Sequence, residues 1–324
     1  MNAPSLADLA AMLRRSRGFR HKADIGEVLA HLGPAAAESP DLGDDCAVLA
    51  DGGGFLLFAI EGLVEDFVEA LPWFAGYSAV VVNVSDIYAM GGRPLAVVDA
   101  LWSAGAPTAG EVLSGIHAAC AKYGVPMVGG HSNAQASRAN LAVAILGRAR
   151  RLLTSFDARP GDALLMAIDL RGAFQEPYPF WNASTSAPAE RLRGDLEILP
   201  ALSEAGLCRA TKDISMAGAV GTTLMLAECS GVGATIDVDA IPRPPGVALE
   251  RWLTTFPSYG FVLSLRPEVV AEVGARFASR EIVWAVVGEV DDSRRLVLRR
   301  GPEEALLWDL SETGFIRPRE AVHA

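Results

Sequence analysis

The chain has 324 residues, of which 51% are apolar and 21% charged, and a formal net charge of −11; the length suits two hydrophobic cores better than one. The acidic balance excludes an extended nucleic-acid surface, which needs a basic field. Apolar runs such as residues 55–60 meet charge well before the ~20 residues that span a bilayer, and the N-terminus lacks the order of a secretion signal, so a cytoplasmic, non-membrane protein with small ligands is expected.

Residues 6–32 have helical period, with Leu6, Leu9 and Leu13 on one face and Ile25, Val28, Leu29 and Leu32 on a second helix. Between them, Arg14, Arg17, Arg20 and Lys22 form the densest basic run of an acidic chain, suited either to phosphate or to water. A glycine-led turn at Gly43-Asp44-Asp45 precedes a hairpin around Gly52-Gly53-Gly54. A helix is expected over 76–90, stopped by Gly91-Gly92-Arg93-Pro94. Strand 95–101, helix 108–123, strand 125–128 and strand 141–146 follow. The run reads as α+β with a mixed or antiparallel sheet.

The turn cluster at 157–162 marks a boundary, giving domains 1–155 and 156–324. Residues 171–190 read as a long loop, either a disordered insert or a binding loop offering Tyr178, Phe180 or Trp181 to a substrate. Beyond it, helix 217–230 and strands at 234–238, 260–265, 282–287 and 295–298 complete a second α+β domain. Cys46, Cys120, Cys208 and Cys229 are scattered without close pairs, which speaks against a zinc site or a disulfide framework.

The helix at 76–90 carries the sharpest signal. It is apolar nearly all round, yet Asn83 and Asp86 stand at i and i+3 on one face. A buried carboxylate costs several kcal/mol unless paired or bound to a metal. Arg93 is one available partner. A cation shared with other acids is the alternative: Asp44 and Asp45 at their turn, Glu61 at a strand end, and Asp213 before a helix. Hard oxygen donors of this kind suit Mg²⁺ completed by phosphate oxygens. Gly129-Gly130-His131 follows a strand, where glycines permit close approach to an anion. His131 itself reads as a plain turn residue, a phosphate donor or a metal ligand. No Walker A or Rossmann glycine pattern occurs.

Taken in order, several motifs resemble the superfamily of AIR synthase, thiamine-monophosphate kinase, selenophosphate synthetase and the hydrogenase-maturation carbamoyl dehydratase. They are Gly43-Asp44-Asp45-Cys46-Ala47-Val48-Leu49, Ile60-Glu61-Gly62, Val82-Asn83-Val84-Ser85-Asp86-Ile87-Tyr88-Ala89-Met90-Gly91, Val128-Gly129-Gly130-His131, Arg159-Pro160-Gly161-Asp162, Asp213-Ile214-Ser215 and Ser230-Gly231-Val232-Gly233-Ala234. The resemblance implies a two-domain AIR-synthase-like fold whose N-terminal sheet forms a homodimer. It also implies ATP and Mg²⁺ as cofactors, and a γ-phosphate used to phosphorylate or activate a small-molecule substrate. It places metal-binding acids at Asp45, Glu61, Asp86 and Asp213; with these, catalytic roles are expected at Asp45, Asp86 and His131, and nucleotide contacts at Gly43, Asp44, Asn83, Gly129, Gly130 and, from the basic run, Lys22.

The chain departs from the pattern at Glu61, where the family has Asp, and at His131, where it usually has a third carboxylate. Met216, Ser155 and the ending Ala321-Val322-His323-Ala324 depart as well, so a divergent AIR-synthase-related subgroup is expected. Two further readings stay open: a nucleotide-binding or scaffold protein that has lost catalysis, and metal-dependent hydrolysis with His131 as base.

Overall fold

A computed structural model describes residues 4–32 and 43–317, the side chains of Ala30 and Leu32 excepted. The expected placement of Leu32 and the ending at 321–324 therefore lie outside the described residues. The chain forms two compact units, each discontinuous in sequence. One comprises residues 1–44, 153–185 and 205–324; the other comprises 45–152 and 186–204. No described helix is long and apolar enough to cross a membrane.

The first unit opens with α1 (Leu6–Arg15), capped by the Ser5 side chain, and α2 (Arg17–Leu32). Leu6, Leu9, Leu13 and Phe19 enter its core, as the helical period predicts. Arg14 donates to the carbonyls of Leu306 (3.3 Å) and Leu307 (3.1 Å), so this member of the basic run anchors a helix.

The second unit is built on a five-stranded sheet of order β1-β2-β5-β3-β4. Its elements in chain order are β1 (Ala47–Asp51), β2 (Gly54–Leu63), α3 (Glu65–Ala70), α4 (Pro72–Ala89), β3 (Arg93–Trp102), α5 (Ala106–Tyr123), β4 (Met127–Asn133) and β5 (Asn140–Ala149). Neighbours are antiparallel except the parallel pair β3–β4. Helices α6 (Ala189–Leu196) and α7 (Ile198–Glu204) complete the unit.

The central helix α4 begins one turn earlier than its apolar run, with Pro72 in the first turn, where a missing N–H is harmless. It ends as predicted: Gly91 takes a left-handed φ of +72°, and the Gly92 N–H returns to the Ile87 carbonyl. α4 and α5 pack at close range because Gly76 and Gly115 face the other helix's backbone. A Cβ on Gly115 would lie 1.9 Å from the Trp73 carbonyl oxygen. α4 lies along the sheet against β2, β3 and β5, which explains why it is buried nearly all round.

The other unit's main sheet has seven strands in the order β15-β14-β10-β13-β6-β12-β9. They are β6 (Ala163–Ile168), β9 (Ala210–Asp213), β10 (Gly233–Asp237), β12 (Gly260–Leu265), β13 (Val283–Asp291), β14 (Arg295–Arg300) and β15 (Glu303–Asp309), accompanied by α8 (Gly218–Ser230), α9 (Leu249–Trp252) and α10 (Val270–Ala278).

The expected loop at 171–190 is ordered. β7 (Ala173–Phe174) and β8 (Phe180–Asn182) join β11 (Phe256–Pro257) in a small sheet of order β11-β8-β7. Trp181 is buried, donates through Nε1 to the Asp169 carbonyl at 3.0 Å and meets Trp252 edge to face. It is thus a core residue of that sheet. Tyr178 stacks on the half-buried Phe180 at 5.4 Å.

Candidate functional site

The site begins with the puzzle of α4. Asn83 is fully buried; its amide donates to the Ala79 carbonyl (2.8 Å) within the helix and to the Val143 carbonyl (2.9 Å) of β5. That bond pins the helix to the sheet. One turn on, Asp86 is only 7% exposed. Asp45, half-buried in the turn before β1, brings a carboxylate oxygen within 4.8 Å of one from Asp86.

Two like charges at that separation repel by about 3 kcal/mol at an effective dielectric of ~20. A divalent cation between them turns the repulsion into attraction, and carboxylate oxygens are the donors that Mg²⁺ prefers. The donor set therefore fits a hard cation. Arg93 is not the partner of Asp86. Its guanidinium is held by Glu197 on α6–α7 and by Glu204, the latter at 2.7 Å.

Glu61 sits on the helix-facing side of β2, in register with Val143, and does not join Asp45 and Asp86 as a third acid within that distance. His131 is on β4, in register with Ala100 of β3, and its ring lies 6.0 Å from that of Trp102. Strand alternation puts Ala100, Trp102 and His131 on the face away from the helices, so the sheet separates His131 from Asp86. Gly129 and Gly130 are strand residues rather than a turn. Gly130 lies opposite Asp99, and a Cβ there would fall 1.7 Å from the Asp99 carboxylate. The glycine makes room for that acid.

Asp99 is the residue that sequence reading missed. It is 7% exposed, on the helix-facing side of β3, and in register with Val143. One of its oxygens is buried without a hydrogen bond among the described residues, as is the Asn83 side-chain oxygen. Burial raises the Asp99 pKa, against the opposing influence of its own backbone N–H and of His131. An aspartate inside the otherwise apolar run Val97-Val98-Asp99-Ala100-Leu101 was the signal available.

A raised folded-state pKa means that the group stabilises the fold below its unfolded pKa, near 3.9, and that this contribution is lost as pH rises through the folded value. Asp99→Asn is therefore expected to melt above wild type at neutral pH in EDTA, with the gap closing as pH falls. A gap that stays constant from neutral to acid pH contradicts this account.

In the other unit, Asp213 ends β9 and is 4% exposed, in register with Phe261 of β12. Asp44 accepts from the Ser155 N–H (3.0 Å) and hydroxyl (2.7 Å), and the buried Lys212 ammonium reaches that hydroxyl at 3.5 Å. Gly43 has a φ of +110°, which favours glycine, and its carbonyl lies 3.5 Å from the Cys229 sulfur. Lys22 is half-buried on α2. Thus Asp45, Asp86 and Asn83 share the second unit's helix–sheet layer, while Gly43, Asp44, Lys22 and Asp213 belong to the first.

Two α+β units, one bearing a buried aspartate on its central helix beside a second aspartate in the turn before β1, define a class of AIR-synthase-like folds. The chain belongs to the AIR synthase related protein family: the N-terminal domain model matches residues 43–149 and the C-terminal domain model residues 175–301. It is 45% identical to the Synechocystis protein sll0787, over 96% of this chain and 98% of that one. It is 29% identical to the selenide, water dikinase of Geobacter metallireducens, over 66% of this chain and 65% of that one. Among solved structures, T. maritima PurL complexed with ADP matches with a TM-score of 0.73 and 21% identity; the match covers 98% of this chain and 53% of that one. AaThiL complexed with AMPPCP and TMP matches with a TM-score of 0.67 and 21% identity, over 88% and 98%. At these identities the structural likeness speaks for the fold.

Proposed function

We propose that the protein is an ATP- and Mg²⁺-dependent enzyme that phosphorylates a small molecule, or activates it with the γ-phosphate. The carrying observation is the Asp45–Asp86 pair, two carboxylates held within 4.8 Å with Asp86 buried in an apolar helix. The family relationship supports the same reading, since one relative is named a dikinase and two fold neighbours are complexed with ADP and with AMPPCP. In this reading Glu61 is a more distant acid of the same unit, and Asp213 keeps the metal-binding role that the motif order implies. When bound, Mg²⁺ supplies charge neutralisation for phosphate oxygens in phosphoryl transfer, where catalysis is chiefly positioning and electrostatics.

The chain's own contributions are then distinct. Asn83 fixes the helix register, so that Asp86 reaches Asp45. Gly130 admits Asp99 to the layer beneath the sheet. The apolar surroundings of α4 exclude water and strengthen every charge interaction within. Calorimetry of ATP binding with Mg²⁺ and with EDTA tests the reading: binding that needs Mg²⁺ supports it, and no binding, or binding indifferent to chelation, contradicts it.

The position of His131 favours a second reading. It stands on the opposite face of the sheet from Asp86, so the glycine-rich strand adds no third carboxylate beside the pair. A nucleotide-binding protein without turnover fits that arrangement; Mg²⁺-dependent ATP binding with no ADP release across phosphate-accepting and amide substrates would single it out.

We also propose that the open sheet face pairs with a second copy of the chain. Phe58, Ile60, Val98 and Trp102 project from it, and Ile60 is 64% exposed. A patch of this kind on a soluble protein marks an interaction surface.

A further inference from the structure

We propose that the second unit carries an oxyanion-binding cleft separate from the carboxylate pair. It takes a small molecule bearing a phosphate or carboxylate group. The cleft has a volume of about 700 Å³ and is lined by Gly53, Gly54, Arg93, Leu95, Arg148, Ala149, Arg150 and Glu204. Asp45, Glu61 and Asp86 do not line it. That volume falls within the ~300–1,000 Å³ of small-ligand pockets.

Three arginines line it in a chain whose net charge is −11. They differ in how they are held. Arg93 is braced by Glu197 and Glu204, which use its Nε and one N–H on each terminal nitrogen. Two of its N–H donors remain, on a side chain that no longer has to be ordered by a ligand. Arg148 is tied to the Asp51 carboxylate at 3.0 Å across the β1–β2 hairpin and stays half-exposed. Arg150, just past the end of β5, is exposed and makes no hydrogen bond or ion pair among the described residues; Glu204 acts on it only at longer range.

Glu197, Glu204 and Asp51 pair with Arg93 and Arg148, but of these acids only Glu204 lines the cleft, so its lining of three arginines and one glutamate stays positive, with Arg150 the arginine that makes no ion pair among the described residues. A forked guanidinium on fixed neighbours is the arrangement that recognises planar or tetrahedral oxyanions bidentately. Gly53 and Gly54 keep one wall free of side chains, and Leu95, 45% exposed, offers an apolar contact for the rest of the ligand. Phosphate and carboxylate share this chemistry, so the ligand is defined by its oxyanion.

The test is calorimetric titration of the full chain with pyrophosphate, and separately with citrate, in EDTA. Without a cation, Asp45 and Asp86 repel either anion, so the acid pair cannot supply the signal. Wild type is expected to bind at least one probe, more weakly as salt rises. Arg150→Gln, an exposed change that leaves the bracing network intact, is expected to weaken binding about tenfold, the loss of one charge-assisted contact of about 1.4 kcal/mol. Asp86→Asn is expected to leave it unchanged. Preference for pyrophosphate or for citrate tells which oxyanion the cleft takes. Absence of binding by both probes at millimolar concentration overturns the proposal, as does binding that survives Arg150→Gln and Arg148→Gln. Because no Mg²⁺ or ATP is used, either result is independent of the nucleotide reading.

Discussion

Asp86→Asn is expected to lower Mg²⁺-dependent ATP turnover by about 100-fold or more, a loss of about 3 kcal/mol of transition-state stabilisation. The substitution keeps the shape of the side chain and removes its charge. Its effect on stability should have the opposite sign. Asp86 is buried with a carboxylate oxygen within 4.8 Å of one from Asp45, and the amide removes one of these two neighbouring like charges. Asp86→Asn should therefore melt at or above wild type in EDTA. A misfolded variant would lose activity and melt lower, which separates damage from function.

The second readout is ligand stabilisation. A nucleotide at about 100 times its Kd stabilises by about 2.7 kcal/mol, and wild type is expected to gain several degrees with Mg²⁺ and AMPPCP. The variant should gain little. Equal gains by both proteins would remove Asp86 from the site and with it the proposed function.

Ile60→Asp combined with Phe58→Asp is expected to halve the mass of the protein in solution. Both side chains project from the open face of β2, where Phe58 is 49% exposed. Covering two such side chains contributes about 1.5–3 kcal/mol each, and placing charges there adds a desolvation penalty if a partner sheet covers them. The variant stays folded because neither residue contributes to the helix-facing core of Leu57 and Ala59. Light scattering at several concentrations decides: a wild-type monomer, or an unchanged mass for the variant, contradicts a dimer through this face. If the dimer forms there, His131 and Trp102 lie in its interface. His131→Ala should then alter dimer affinity more than magnesium affinity.

Much of the layout was legible in the sequence because local physics wrote it there. The period of Leu6, Leu9 and Leu13 gave a helix with one buried face. Gly91-Gly92-Arg93-Pro94 stopped α4 where a left-handed residue was required. Asn83 and Asp86 three residues apart within an apolar run announced a polar group under the sheet, and the ordered motifs named the family. The loop at 171–190 was misread because its aromatics pack against Trp252 and Phe256, far along the chain, and form strands only in their company.

Side-chain partners were decided elsewhere. Sequence left Arg93 as a possible mate for Asp86; the fold gives it to Glu197 and Glu204, more than 100 positions away. It offered Gly129-Gly130 as a turn, but the register of β3 and β4 makes them strand residues, with Gly130 yielding space to Asp99. His131 was placed by strand alternation, which sends neighbours to opposite faces once the strand extends past the glycines. The sequence by itself determined the buried face of α1, the burial of α4, where α4 stops, and that an aspartate had to be kept inside. The tertiary structure alone decided which charges meet, because pairing depends on strand register and chain crossing, and neither is encoded in local spacing.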